Sequence, residues 1–355
     1  MTEEVGKAMH ILITGISGRI GANLAKGLLD AGHSVRGLIW ARDRRIEKFA
    51  TMDVELLEGT ITEPEDVAKA VDGVDAIYHL GAAFQGGGPF TNSEYFDINV
   101  RGTFNMLEAA QGLGSKLQQF IFASSDALYS KYTQEGIAEP IREDEFPLEP
   151  GGMYALTKLL GEDLCRGYTR NVGLPMTICR FALTVAGDEI LDFRQFYLAH
   201  WRQAYAKLTS PEARVVAAQL DEAAARVGDH ALLLARDGNG RTYKKHIADV
   251  HDIVAGLLAV LGKPAALGEA FQLAAPRAFT WEEAIPYLAE KLNLPYVEAN
   301  LAGHAPTFYE FDVAKGRTLL GYEPSYDIFR MIDEGMALRA GMAVGVVPTH
   351  VGRNG

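Results

Sequence analysis

Tyr154 and Lys158 stand four residues apart in Met153-Tyr154-Ala155-Leu156-Thr157-Lys158, and their side chains could do proton chemistry together. Leu156, Leu159, Leu160 and Leu164 recur around them at helical spacing, which predicts a helix. Residues i and i+4 share a helix face, so the phenol and the ammonium point into one site. A phenol acts as a base at neutral pH only if its pKa of about 10 falls by roughly three units, a change of about 4 kcal/mol. One ammonium about 4 Å away, at an effective dielectric near 20, supplies roughly that much. Desolvation of the phenolate opposes it, and a nearby cationic ring would assist. Such a pair suits moving a proton on and off a carbinol oxygen, and it points to redox chemistry at an alcohol carbon.

Redox at carbon needs a hydride carrier, and a site for one is written far upstream in Thr14-Gly15-Ile16-Ser17-Gly18-Arg19-Ile20-Gly21. Glycines there permit a tight turn, close approach of backbone to a pyrophosphate, and close packing of helix on strand. A helix N-terminus then offers unpaired N–H groups and a positive dipole end to phosphates. Glycine-rich turns are also common as plain structure. Here the segment follows a strand and opens a helix, which is the context a dinucleotide site requires.

The elements that must position these groups alternate between strand and helix through the first half of the chain, the pattern of a parallel sheet wrapped by helices. Strands are expected at His10 to Thr14, Val35 to Trp40, Val54 to Leu57, Val74 to Leu80, Gln119 to Ala123 and Pro175 to Arg180. Pro64 and the acids beside it mark a helix start. Beyond about Gly187 the alternation is less regular, with an alanine-rich helix from Ala213 to Arg226. The expected fold is α/β: a Rossmann-type doubly wound parallel sheet over residues 9–187, with 241–262 returning to it. A smaller discontinuous α/β substrate lobe takes 188–240 and 263–345.

The 355 residues carry a net charge of -12 and no long basic block, which argues against nucleic acid or an anionic membrane as partner. Cys165 and Cys179 are the two cysteines, without metal-ligand neighbours, so reduced thiols in a cytoplasmic protein are expected. The leader Met1 to Lys7 has acids and no apolar stretch, unlike a signal peptide. No set of His, Cys and carboxylates has metal-ligand spacing, and no metal is expected.

With these motifs in order, the chain resembles the extended short-chain dehydrogenases/reductases of the NAD(P)-dependent epimerase/dehydratase family. The landmarks are the glycine turn, His79-Leu80-Gly81-Ala82-Ala83, Asn99-Val100-Arg101-Gly102-Thr103, Ser124-Ser125, Tyr154-x-x-x-Lys158, His246-Ile247-Ala248-Asp249-Val250 and Leu320-Gly321-Tyr322-Glu323-Pro324. The resemblance implies that Tyr154 is the acid/base, that Lys158 holds the nicotinamide ribose, and that Ser125 contacts the reacting oxygen, with Ser124 as the fallback hydroxyl. It implies cofactor contacts from Gly15, Ser17, Gly18, Arg19, Ile20, Gly21, Trp40, Arg42, Thr60, Ile61, Leu80, Gly81, Ala82, Ala83, Asn99 and Ser124. His79 reads as a core residue and Asn99 as a tie near the catalytic helix more than a reactive group. A homodimer through the Val100–Gly112 helix and the Tyr154 helix is also implied.

Departures from the family pattern shape the rest. Asp126 follows Ser125, but alanine at 127 removes the second acid that a dehydratase uses; Asp126 is either a substrate contact or a solvated turn residue. The second strand ends in Trp40 where an acid would grip a ribose hydroxyl, followed by Arg42, Arg44 and Arg45. Arginine suits a 2′-phosphate, so NADP is preferred over NAD, the alternative being a helix start capped by Asp43. Thr60 replaces the usual aspartate near the adenine. Phe181 and Ala186 replace a proline and a tyrosine in the loop after the sixth strand. Arg241, Lys244 and Lys245 either meet an anionic substrate or form a solvated edge. The aromatic and basic stretch Ile190 to Arg202 either lines a sugar pocket or is an amphipathic helix. The reading is an NAD(P)-dependent oxidoreductase of epimerase/dehydratase type on a carbohydrate or nucleotide-sugar carbinol. Its alternatives are a carbonyl reductase of dihydroflavonol-reductase type and a non-catalytic dinucleotide sensor.

Overall fold

Short apolar runs separated by amphipathic helices give a sheet that must be covered on both faces, and the computed structural model, describing residues 8–41, 43–84 and 88–349, has that form. Its strands are β1 (His10–Thr14), β2 (Ser34–Ile39), β3 (Val54–Glu58), β4 (Ala76–His79), β5 (Gln119–Ser125) and β6 (Met176–Phe181). They pair in the order β3-β2-β1-β4-β5-β6, and a seventh strand, Ala270–Leu273, pairs with β6; every pairing is parallel. The chain order reverses between β1 and β4, which opens a crevice at their carboxyl ends. The helices include α1 (Arg19–Asp30), α2 (Pro64–Val71), α3 (Asn92–Phe96), α4 (Gly102–Gly112) and α5 (Met153–Val172).

Two apolar clusters cover the two faces of the sheet, one around Ile11, Tyr78 and Phe271, the other around Phe120, Met106 and Ile77. A third, around Trp201, Tyr243, Trp281 and Phe196, is the core of the second lobe, built on a parallel pair of Leu232–Arg236 with Tyr296–Asn300. The Val250–Val260 helix returns to the sheet domain against α1, where Gly27 would bring an added Cβ to 3.2 Å from Val254. The seventh strand corrects the expected boundary at residue 263, because Ala270–Leu273 belongs to the main sheet. No helix among the described residues is long and apolar enough to cross a membrane.

Candidate active site and dinucleotide cradle

Backbone geometry makes the glycine turn. Gly15 has φ +72°, and a Cβ on it would lie 2.8 Å from the Gly81 nitrogen; one on Gly21 would lie 2.4 Å from the Gly15 carbonyl oxygen. Neither site admits a side chain, so β1, the loop after β4 and the start of α1 close on one another. Gly18 caps α1 with no side-chain bond, which leaves the first-turn N–H groups of Arg19, Ile20 and Gly21 pointing out of the crevice end. That cradle fits a diphosphate. The Arg19 side chain takes no part in it. Its guanidinium donates to the Thr184 carbonyl and to Glu189, both at 2.8 Å, and so ties α1 to the entry of the second lobe.

Past β2 the chain turns, and the acid absent from position 40 arrives at 43. Asp43 accepts from Ser17 Oγ at 2.6 Å and from Arg45 Nε and Nη2 at 2.8 and 2.7 Å. Burial raises its pKa, but these hydrogen bonds win and hold it at about 2. Arg45 is therefore paired, and Trp40 is 53% exposed. Arg42 lies outside the described residues. Lys48, which the sequence did not single out, donates to the Ser17 carbonyl at 2.9 Å and braces the turn. Thr60 shares its hydroxyl with Thr62 at 3.0 Å, and Ile61 is packed under Gly102 of α4, so backbone is what Ile61 can offer a cofactor.

After β4, Leu80, Gly81, Ala82 and Ala83 run along the crevice. His79 bridges Thr14 at 2.8 Å and Thr103 at 3.0 Å, and burial pulls its pKa to about 3, so it is a neutral core residue. Asn99 sits in a π-helical turn, Asp97–Arg101, between α3 and α4. It accepts from Ala83 N at 2.7 Å and donates to Ala83 O and Thr157 Oγ1, both at 3.0 Å. Thr157 in turn donates to the Tyr154 carbonyl. Asn99 was expected to tie strands together, and instead it joins the loop after β4 to α5.

Helix α5 starts at Gly152 and stops at Gly173, both with positive φ. Gly161 lets it approach β5 so closely that a Cβ would meet the Phe122 ring at 2.5 Å. Glu162 anchors it through a buried bidentate pair with Arg180 of β6, at 2.8 and 2.7 Å. On that helix Tyr154 packs edge-on against Phe84 and Tyr95, with its hydroxyl near the Ser125 side chain. Ser125 also accepts from Ala127 N at 3.1 Å, while Ser124 lies against Glu162. Ser125, Tyr154 and Lys158 thus meet at the carboxyl end of β5.

The electrostatics differ from the arithmetic of an isolated pair. Lys158 donates to the Ala123 carbonyl at 2.9 Å and lies 5.2 Å over the Phe122 ring; burial lowers its pKa to about 8. Burial pushes Tyr154 up to about 12, against the pull of the nearby Ser125 hydroxyl and with the Asp126 charge adding to the rise. The protein alone therefore holds Tyr154 as a phenol, a proton donor. Asp126 is no solvated turn residue: its Oδ2 is 3.0 Å from the buried Lys131 ammonium. Arg241 is committed elsewhere, donating to Asp237 at 2.9 Å and to the Glu135 carbonyl at 2.8 Å over the Phe308 ring. Asp249, His251 and Glu334 have ligand atoms within 4.8 Å of one another, but Asp249 caps the Val250–Val260 helix and accepts from His251 at 2.7 Å.

Comparison with known proteins gives the chain's relatives. The chain is similar over 183 residues to GDP-mannose 3,5-epimerase 1 of Oryza sativa subsp. japonica, at 32% identity, covering 49% of this chain and 46% of that protein. It is 40% identical over 134 residues to 3 beta-hydroxysteroid dehydrogenase/Delta 5-->4-isomerase of Mycobacterium tuberculosis, covering 36% of this chain and 34% of that protein. The chain thus spans about half, or less, of the length of these curated relatives. A solved short-chain dehydrogenase/reductase superfamily protein of Agrobacterium tumefaciens with bound NAD superposes with a TM-score of 0.78 at 31% identity, covering 94% of this chain and 97% of that one. Residues 11–274 match the model of the NAD dependent epimerase/dehydratase family, a span that runs from the first strand of the cradle through the seventh strand of the sheet. With the glycine cradle, the Ser125–Tyr154–Lys158 site and a match over most of its length, the chain belongs to the NAD dependent epimerase/dehydratase family.

Proposed function

We propose that this protein is an NAD-dependent oxidoreductase that moves a hydride at a carbinol or carbonyl carbon of a carbohydrate or nucleotide sugar. The placing of Tyr154 and Lys158 one helical turn apart on α5, against the carboxyl end of β5 where Ser125 stands, carries the reading. A bound nicotinamide dinucleotide would supply the hydride donor or acceptor. Tyr154 gives a proton to the carbonyl oxygen as it becomes a carbinol and takes one back in the other direction, while Ser125 orients that oxygen. Lys158 holds the ribose. The family and the likeness to a nucleotide-sugar epimerase support the substrate class.

NAD is favoured over the NADP that the arginine run suggested. A carboxylate on the Ser17 turn suits ribose hydroxyls and repels a 2′-phosphate, and the Arg45 guanidinium is already taken. The Agrobacterium protein with bound NAD supports the same choice. Exposed Phe104 on α4 and Leu156 on α5, 43% and 41% accessible, support a homodimer through these helices. A second reading, a dehydrogenase or carbonyl reductase of an apolar alcohol, has in its favour Phe84 packed 6.0 Å from the Tyr154 ring and the steroid dehydrogenase likeness.

The test is native mass spectrometry of the purified protein, followed by absorbance at 340 nm and chromatographic analysis of products, which also registers an epimerised sugar, with NAD+ and NADP+ against hexoses, hexuronates, nucleotide sugars and hydroxysteroids. Retained NAD and turnover of a sugar support the proposal. Turnover confined to apolar alcohols refutes the substrate class, and cofactor binding without turnover on any of them refutes the redox reading.

A further inference from the structure

A second charged feature is one that the redox step does not use. Lys245 lies in a two-residue strand, Lys244–Lys245, paired antiparallel with Phe279–Thr280, and is only 3% exposed. Its ammonium donates to the neutral amide oxygen of Gln195 at 2.6 Å and lies 5.2 Å over the Phe193 ring. Its neighbour Lys244 pairs with Glu310 at 3.3 Å, whereas no carboxylate among the described residues is within ion-pair reach of Lys245. A buried ammonium without a counter-charge is unfavourable. Burial pulls its pKa down to about 7, with Asp126 attracting the charge and Lys131 repelling it.

Tyr309 joins this strand to the end of β5: its N–H donates to the Lys244 carbonyl at 3.1 Å, and the Lys131 ammonium, paired with Asp126, lies 5.3 Å over its ring. Asp126 follows Ser125 directly, and its charge acts on the Tyr154 hydroxyl as well as on Lys245. Lys131 is 4% exposed and donates to the Asp126 carbonyl at 2.6 Å, with its Oδ2 at 3.0 Å and the rings of Tyr132, Tyr309 and Phe311 around it. Two lysines and one aspartate leave one positive charge, which matches a single carboxylate better than a phosphate dianion. Gln195 and Phe193, which lie against the ammonium, are themselves only partly buried.

We propose that Lys245, flanked by Gln195 and backed by the Lys131–Asp126 pair, is a subsite for a carboxylate of the substrate, so that the substrate is a sugar acid. This rests on the redox reading only for the word sugar; the subsite itself stands on the uncompensated lysine. A charge-assisted hydrogen bond corresponds to about a tenfold to hundredfold gain in affinity.

The experiment is calorimetric titration of the NAD-loaded protein with glucuronate, glucose and glucose 6-phosphate, and with UDP-glucuronate and UDP-glucose, alongside absorbance at 340 nm. The wild type is expected to bind each carboxylate at least about tenfold more tightly than its neutral partner. Lys245→Gln should bring that ratio close to one. Gln195→Glu, which places a carboxylate on the ammonium while keeping the lysine, should do the same, so the test survives if the lysine variant does not fold. Equal affinity for the acid and neutral members, or a ratio unmoved in Gln195→Glu, overturns the subsite. Glucose 6-phosphate binding as tightly as glucuronate overturns the carboxylate assignment. A large ratio with no hydride transfer on any probe leaves the subsite standing and sinks the redox reading. Hydride transfer with equal affinities does the reverse.

Discussion

Replacing Asn99 by alanine should loosen the joint between the cofactor side and the catalytic helix. The amide makes three hydrogen bonds, two to the backbone of Ala83 and one to Thr157, whose hydroxyl donates on to the Tyr154 carbonyl. Ala83 is 2% exposed, so both its N–H and its C=O lose their partners with no water at hand. Each buried group left unpaired costs about 1–3 kcal/mol, so the variant should be less stable by about 2–6 kcal/mol. At roughly 2.1 cal/mol/K per residue for a chain of this length, that is a fall in Tm of about 3–8 °C. The cofactor Kd should rise, because the loop of Gly81 to Ala83 is no longer pinned, and kcat should fall without being abolished. Thr157→Val alone should cost about 1 kcal/mol, and less in the Asn99→Ala background, since the two share one bond. The assays are calorimetric melting and NADH fluorescence titration of the four proteins. An Asn99→Ala variant that melts within 1 °C or so of wild type, or that binds NADH as tightly, would refute the claim that this residue holds the site together.

Two further outcomes follow from other parts of the molecule. Asp43→Asn should move the NADH to NADPH affinity ratio roughly tenfold or more toward NADPH, by weakening the ribose contact and releasing Arg45; a wild type that prefers NADPH, or an unmoved ratio, counts against Asp43. His79 and His246 are buried neutral, with pKa values lowered by burial to about 3 and about 4. The unfolded chain binds protons at about pH 6.5 where these side chains do not, so stability is lost as pH falls from about 6.5 toward those values, by roughly 2 kcal/mol per histidine at pH 5. Urea melts at pH 7.5 and 5 should show the loss, and His79→Gln should remove about half of it; a pH-independent midpoint would contradict the assignment.

Much of this was legible in the chain because the strands are apolar runs with glycine or proline at their ends. Six strands of the sheet stand within two residues of where those runs place them. The seventh, Ala270–Leu273, is interrupted by Gln272, which reads as surface; its amide is buried and donates to the Ile141 carbonyl at 2.8 Å, a contact 131 residues away that no local pattern encodes. The glycine turn, Tyr154 and Lys158 were legible because each needs its residue type at a fixed spacing. In sequence Asp43 reads as a helix cap, and its contact with Ser17 is not legible because it arises only when the turn after Trp40 folds back. For Lys245 the sequence leaves an anionic-substrate contact and a solvated edge equally open, and nothing in it marks Lys131; their burial comes from residues distant in the chain, Phe193 and Gln195 around one and Tyr309 and Phe311 around the other. The Tyr154 pKa was misjudged for a similar reason: spacing gives a shared helix face, but not that the ammonium turns to the Ala123 carbonyl.

The most direct test of the central claim is single-turnover kinetics of Tyr154→Phe beside wild type, with NADH affinity measured on the same samples. The phenylalanine ring fills the same space against Phe84 and Tyr95 and lacks only the hydroxyl. The rate of hydride transfer should fall by about 10²–10⁴-fold while the cofactor Kd stays within about twofold. Hydride transfer within a few-fold of wild type would contradict the role of Tyr154 as the proton donor and acceptor.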